Sequence, residues 1–187
     1  MERVIAGIDT LLLQKPYLVI AIDGRCASGK STMANGLLCH YGQSAALFHM
    51  DDFFLPPGMK TAKRLEQPGG NVHHERFLNE VLEPLKGGEP FDYRRYNCQT
   101  DTYESVQVQR RQVNIVEGVY AMHPSLDPYY DLRVFMTLDT IDQRTRLMAR
   151  GGPEKTRRFI EEWIPLEEIY FRHFGIRGLC DLVIRSA

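Results

Sequence analysis

One stretch of the chain has the residue types and spacing that bind phosphate groups: Gly24, Arg25, Cys26, Ala27, Ser28, Gly29, Lys30 and Ser31. This stretch, the phosphate loop, matches the pattern G-x-x-x-x-G-K-[ST] at every fixed position. Glycines let successive backbone N–H groups converge on phosphate oxygens, and the following helix adds the positive end of its dipole. Lys30 would reach the terminal phosphates, and the Ser31 hydroxyl would be a ligand of Mg²⁺. We therefore predict that the phosphate loop and Thr32 bind ATP and Mg²⁺.

The residues on either side of the phosphate loop have the patterns of a strand and a helix. Residues 17–22 are short, continuous and apolar, which is typical of a strand buried on both faces. Between residues 31 and 40, apolar side chains recur at helical spacing. A strand before the loop and a helix after it are the context in which this pattern binds phosphate. The sequence contains no Asn-Lys-x-Asp, so nothing in it indicates selection of guanine.

Carboxylates follow two further apolar runs that have the pattern of buried strands. Asp51 and Asp52 come after residues 45–50, and Glu117 follows residues 113–116. In open α/β sheets ligands bind beyond the carboxyl ends of the strands, so these acids would face the phosphates. We predict that Asp51 takes the proton of an acceptor hydroxyl, and that Asp51 and Glu117 contribute to the magnesium site. The alternative is that these acids only cap a helix or enter a loop.

A basic segment lies between Arg144 and Arg158, with six basic residues and one acidic residue. Residues 151–153, Gly-Gly-Pro, interrupt it and provide a flexible point before a new helix. We predict a lid over about residues 144–158 that closes on the nucleotide phosphates, with Arg157 and Arg158 among its phosphate contacts. The alternative is a solvated charged helix face.

The remaining elements predict an α/β fold with a five-stranded parallel sheet flanked by helices on both faces. Strands are expected at 17–22, 45–50, 113–116, 132–138 and 181–184, and helices at 3–13, 31–40, 74–85, 141–150 and 154–173. The length of 187 residues suits a single domain. An insertion over about residues 53–110 would bind the acceptor, and alternation at 91–96 and 102–109 indicates a small hairpin in it. Candidate acceptor contacts are His73, Tyr93, Arg94 and Tyr96, whose rings and guanidinium group suit a flat base or a polyhydroxylated ligand.

Composition excludes several other classes of protein. The net charge of −1 argues against a nucleic-acid partner. The longest clean apolar run, six residues, is too short for a membrane span, and no secretory signal is evident. The four cysteines lack zinc-ligand spacing, and we interpret them as free thiols in a reducing compartment, which places the protein in the cytoplasm. A homo-oligomer is compatible with these observations.

Together these residues resemble the uridine kinase family, within a wider group that includes phosphoribulokinase, pantothenate kinase and nicotinamide riboside kinase. The resemblance rests on the phosphate loop, HMDDFF at 49–54, PGGN at 68–71, the hairpin at Tyr93, IVEG at 115–118 and the basic segment. It implies ATP- and Mg²⁺-dependent phosphorylation of a primary hydroxyl, with Asp51 matching the catalytic acid and with Arg146 and Arg150 in the lid.

Two positions depart from the uridine kinase pattern. His73 stands where those enzymes have an aspartate that binds ribose hydroxyls, and residues 97–99 hold no counterpart of their pyrimidine-reading histidine. A nucleoside is the favoured acceptor. The alternatives are nicotinamide riboside, pantothenate or a sugar phosphate as acceptor, or a nucleotide-binding switch that hydrolyses slowly. A nucleic-acid-processing NTPase is disfavoured by the charge balance.

Overall fold

The computed structural model describes residues 1–186. Its centre is a parallel sheet of five strands in the order β2-β5-β1-β6-β7, and a separate antiparallel hairpin is formed by β3 and β4. The strands are β1 Leu18–Gly24, β2 Ala45–His49, β3 Phe91–Asn97, β4 Thr102–Val108, β5 Val113–Glu117, β6 Leu132–Thr137 and β7 Leu182–Arg185. The α-helices are α1 Glu2–Leu12, α2 Lys30–Tyr41, α3 Ala62–Leu65, α4 His74–Phe77, α5 Glu83–Gly87, α6 Thr140–Arg158 and α7 Ile164–His173.

The central strand β1 shows why the sheet needs cover on both faces. Every residue of β1 is buried, and its side chains alternate between two apolar cores. Leu18, Ile20 and Ile22 pack with α1 and α2, whereas Val19 and Ala21 pack with the insertion and α7. The predicted five-stranded parallel sheet with helices on both faces is therefore confirmed.

The strand register brings three chain segments to one edge of the sheet. Ile22 of β1 pairs with Glu117 of β5, and Glu117 pairs in turn with His49 of β2. The phosphate loop, Glu117 and the residues after His49 thus leave the sheet side by side.

Two helical segments differ from their predicted form, and the cause is the same in both. The helices predicted at 74–85 and 154–173 exist, but each contains one π-helical turn, at Leu78–Leu82 and at Phe159–Trp163. Pro84 and Pro165 follow these turns as the second residues of α5 and α7. A proline lacks the N–H for the bond to residue i−4 and crowds that carbonyl, so the helix widens instead of breaking.

The strand predicted at 45–50 ends one residue earlier, at His49, because Met50 begins a 3₁₀ turn, Met50–Phe53. The backbone of the segment predicted to be a lid contains a bend. Gly152 in α6 has φ 71° and ψ −175°, which bends the helix at the expected flexible point. None of the helices within residues 1–186 is both long and apolar enough to cross a membrane.

We expect Gly24→Ala to lower the free energy of unfolding by about 3 kcal/mol or more. Gly24 has φ 131°, and a Cβ there would collide with the backbone oxygen of Met136 on β6 and lie 2.7 Å from its nitrogen. Gly58→Ala is the matched control, because Gly58 has no heavy atom within 4 Å of the added Cβ. Its expected effect is within about 1 kcal/mol in urea denaturation. Equal effects of the two variants would contradict the assigned loop geometry.

Candidate active site

The phosphate loop has the backbone of an anion-binding turn. Gly24, Ala27 and Gly29 all have positive φ, at 131°, 60° and 89°, and Gly29 caps the N-terminus of α2. Such a turn directs consecutive N–H groups into one concavity in front of a helix N-terminus. The hydroxyl of Ser28 is buried, without a hydrogen-bond partner in residues 1–186. A cradle with an unpaired donor suits a phosphate group.

Lys30 crosses this concavity. Its side chain is 8% exposed, and its Nζ donates to the carbonyl oxygens of Gly24 at 2.8 Å and Arg25 at 2.9 Å. Both partners are neutral, so the ammonium keeps a positive charge for an incoming anion.

Ser31 and Glu117 converge next to the loop. The Ser31 Oγ lies 3.2 Å from each carboxylate oxygen of Glu117, and the His49 Nδ1 lies 2.6 Å from Glu117 Oε1. The hydrogen bond to Glu117 raises the pKa of His49. No group of three or more His, Cys, Asp or Glu side chains in the described chain is arranged to hold a metal ion. Ser31 and Glu117 supply two hard oxygen donors, which fits Mg²⁺ completed by phosphate oxygens and water.

Asp51 and Asp52 occupy the 3₁₀ turn after β2 and differ in their environments. The Asp51 side chain is exposed and accepts no hydrogen bond in residues 1–186. Loss of hydration in the cleft raises the pKa of Asp51, and the negative charge of Glu117 raises it further. Asp52 is held by the Tyr93 hydroxyl at 3.2 Å and by Arg95 Nε at 3.4 Å. Asp51 is therefore the carboxylate left available for a ligand.

The hairpin residues divide between the site and the surface. The Tyr93 ring is 3% exposed and stacks on Phe53, with ring centroids 5.6 Å apart. Arg94 is instead paired with Glu80 on the outer side, and the Tyr96 hydroxyl donates to Asp101 near the hairpin tip at 2.8 Å. The structure thus brings Tyr93 toward the acids and holds Arg94 and Tyr96 elsewhere. Arg95, which sequence reasoning did not select, takes the place expected of Arg94.

His73 follows the PGGN stretch at the start of α4. Its backbone N–H donates to Phe53 O at 2.7 Å, which fixes it beside the turn that carries Asp51. The Nδ1 of His73 is buried without a hydrogen-bond partner in the described chain. Burial lowers the pKa of His73, so its ring is neutral near neutral pH. The unpaired imidazole nitrogen suits a polar acceptor.

The basic segment contacts the loop at one residue. Arg146 Nη1 donates to Ala27 O at 3.2 Å and to Ser186 Oγ at 3.1 Å. Arg150 and Arg157 are exposed, and Arg158 is paired with Glu162 at 3.4 Å. Arg146 is thus at the phosphate loop, while Arg150, Arg157 and Arg158 lie further along the bent helix.

Three residues near the loop were missed by sequence reasoning. Asp23 is fully buried and accepts hydrogen bonds from Gly24 N at 2.6 Å, Met122 N at 3.0 Å and the Tyr170 hydroxyl at 2.8 Å. Glu167 and Gln143 contact Cys26 from α7 and α6. Asp23 could have been selected from the sequence, because it is an acid at the end of an otherwise apolar strand. Glu167 shares the helix face of the buried Tyr170 and Phe171, a weaker signal of the same kind.

The curated relatives include kinases and hydrolases. The chain is 26% identical to a uridine kinase of Geobacillus kaustophilus, over 80% of this chain and 76% of that protein. It is also 26% identical to the inorganic pyrophosphatase TTM2 of Arabidopsis thaliana, over 82% of this chain. The match spans only 24% of the length of that pyrophosphatase. A comparison with models of known protein families finds no match.

Solved structures give the same fold. A possible uridine kinase from Bacillus stearothermophilus is 25% identical, with a TM-score of 0.70 over 98% of this chain and 100% of that one. The D-glycerate 3-kinase of Cryptococcus neoformans is 17% identical, with a TM-score of 0.61 over 97% of this chain and 92% of that one. The second likeness is one of fold alone.

The phosphate loop, the parallel sheet and the acids at its carboxyl edge define a P-loop kinase fold. Within that class, the chain is similar to uridine kinases in sequence and in fold.

Proposed function

We propose that the protein is a kinase that transfers a phosphoryl group from ATP, with Mg²⁺, to a primary hydroxyl of a small molecule, and that a nucleoside is the favoured acceptor. The observation that carries this proposal is the meeting of the phosphate loop, Glu117 and Asp51 at one edge of the sheet. A site that binds only phosphate needs the loop but has no use for Asp51.

The proposed division of labour follows from the contacts. The loop N–H groups and Lys30 hold the phosphates, and Ser31 and Glu117 hold Mg²⁺, which neutralises charge as the phosphoryl group moves. Asp51 takes the proton of the attacking hydroxyl. Arg146 is already at the loop, and Arg150, Arg157 and Arg158 reach the phosphates when the bent helix closes.

The acceptor assignment rests on the hairpin and the segment around His73. The Tyr93 hydroxyl and the Arg95 guanidinium contact Asp52. His73, with a neutral imidazole, is bonded through its backbone N–H to Phe53 of the same 3₁₀ turn. These groups suit a base or several hydroxyls. The named uridine kinases among the relatives favour a nucleoside, and the D-glycerate 3-kinase keeps a smaller hydroxy acid in the panel of candidates.

Hydrolysis is the second candidate function, because a named inorganic pyrophosphatase matches most of this chain. In that case water would replace the acceptor hydroxyl, and Asp51 would take a proton from water. ATP hydrolysis would release ADP and inorganic phosphate without an acceptor, and pyrophosphate hydrolysis would release inorganic phosphate without ATP, whereas the kinase reaction needs both ATP and an acceptor.

We expect Mg·ATP to yield ADP at a rate that rises at least about tenfold when the right acceptor is added. The assay would test nucleosides, nicotinamide riboside, pantothenate, ribulose 5-phosphate and glycerate separately, with the product identified by mass spectrometry. A phosphorylated product supports the kinase and names its acceptor. ADP production that no acceptor changes, with inorganic phosphate as the product, would show that the protein is a hydrolase or a switch.

A further inference from the structure

Glu167 of α7 lies buried directly behind the phosphate loop. It is 5% exposed, and its Oε2 accepts a hydrogen bond from the backbone N–H of Cys26 at 2.9 Å. The phosphoryl-transfer scheme above gives this carboxylate no role. A buried acid bonded to an amide of an anion-binding loop needs an explanation of its own.

The same loop residue is also held by the helix that carries the lid. Gln143 Nε2 of α6 donates to Cys26 O at 3.0 Å and lies 3.2 Å from its Sγ. Next to it, Arg25 Nε is paired with Glu168 Oε1 at 2.8 Å. The backbone of Cys26 is therefore hydrogen-bonded to both helices: its carbonyl oxygen accepts from α6, and its N–H donates to α7.

The groups around Glu167 set its charge. Burial is the largest influence and raises the pKa of Glu167 to about 7, while the positive charge of Lys30 and the hydrogen bonds from Cys26 oppose this shift. Asp23 faces it from β1 and adds a negative charge. The Cys26 thiol and the Tyr120 hydroxyl are neutral neighbours, because burial raises the pKa of the thiol to about 12 and that of the hydroxyl still higher. Lys30 is thus the cation that favours the ionised form of Glu167.

We propose that Glu167 is a positioning residue for the nucleotide, which holds the Cys26 end of the phosphate loop and takes up a proton when the phosphates of a nucleotide enter the loop. This rests on the phosphate site of the proposed function and not on the acceptor. Incoming phosphates bring negative charge toward Glu167 and draw the Lys30 ammonium to themselves, and both effects disfavour a carboxylate. The proton comes from solvent, and a protonated Glu167 still accepts the Cys26 N–H through its carbonyl oxygen.

The sign of the pH dependence follows from linkage. The pKa of Glu167 is about 7 without nucleotide and rises when phosphates are bound, so binding takes up protons between those two values. Nucleotide affinity therefore falls as the pH rises from about 7, by at most about tenfold per pH unit for a single proton. Below about pH 6 the group is protonated in both states, and the dependence on Glu167 disappears.

The test is calorimetry of Mg·ADP binding from about pH 6 to about pH 9, in buffers with different heats of ionisation. The wild-type protein should take up roughly half a proton at about pH 7, and Glu167→Gln should lose that uptake together with the associated pH dependence of Kd. Glu161→Gln is the matched control, since it removes the same charge from an exposed position before α7, and it should behave like the wild type. Any change in the protonation of ADP itself contributes equally to the proton uptake measured with the wild type and with both variants.

Equal proton uptake by the wild type and Glu167→Gln would overturn the proposal. So would the absence of uptake in the wild type between about pH 7 and about pH 8, an outcome that needs no variant to fold. Failure of the wild type to bind Mg·ADP would overturn the phosphate site as well. Proton-linked binding without phosphorylation of any acceptor would instead support the role of Glu167 and count against the kinase alone.

Discussion

Asp51→Asn should lower the rate of phosphoryl transfer by about 10²- to 10⁴-fold and change the Kd for Mg·ATP by less than about threefold. Asparagine keeps the size of the side chain but cannot take a proton from a hydroxyl. Asp51 is exposed in the cleft and makes no hydrogen bond in the described chain, so the substitution breaks no structural contact. Steady-state kinetics with the identified acceptor and a separate nucleotide titration would measure the two effects.

The pH dependence of the wild type provides a second check on Asp51. Loss of hydration and the charge of Glu117 raise its pKa, so the ionised base is present above that raised value and is lost as the pH falls through it. The acidic limb of kcat/KM should therefore lie above the usual range of an aspartate. Asp52→Asn is the matched control, since Asp52 is already held by Tyr93 and Arg95, and its transfer rate should fall less. Undiminished turnover in Asp51→Asn would remove Asp51 from the mechanism.

Lys30→Ala should lower kcat/KM for ATP by about 10²- to 10³-fold. The ammonium is buried in the loop concavity on two carbonyl oxygens, and no other cation in the described chain occupies that position. Removing it takes away the point charge that meets the terminal phosphates. The control is Lys63→Ala on α3, where the lysine is exposed, and its kinetics should match the wild type. Thermal unfolding of both variants would show that the fold is retained, and normal kinetics in Lys30→Ala would refute the assignment of the loop.

The fold was predictable because its signals are local. The buried strands are continuous apolar runs, and the phosphate loop is a contiguous pattern between one such strand and a helix. The π turns were not predictable in detail. A proline disturbs regular helical hydrogen bonding, but whether the helix breaks or widens at Pro165 depends on the packing of residues on both sides.

The closeness of Asp51 and Glu117 to the phosphate loop was predictable, because the register of a parallel sheet places the carboxyl ends of its strands together. The choice between Arg94 and Arg95 was not predictable, since it depends on their pairing with Glu80 and Asp52, which lie outside the hairpin. The contacts of Glu167 and Gln143 with Cys26 cross more than a hundred residues and arise only in the folded chain.

The most direct measurement of the central claim follows a labelled γ-phosphoryl group. The protein would be incubated with Mg²⁺, ATP labelled with ¹⁸O in the γ-phosphate and a mixture of hydroxyl acceptors, and the products would be analysed by mass spectrometry. We expect the label in a phosphomonoester of one acceptor, formed by the wild type and absent with Asp51→Asn. Label recovered only in inorganic phosphate, at the same rate with and without acceptors, would contradict the assignment of this protein as a small-molecule kinase.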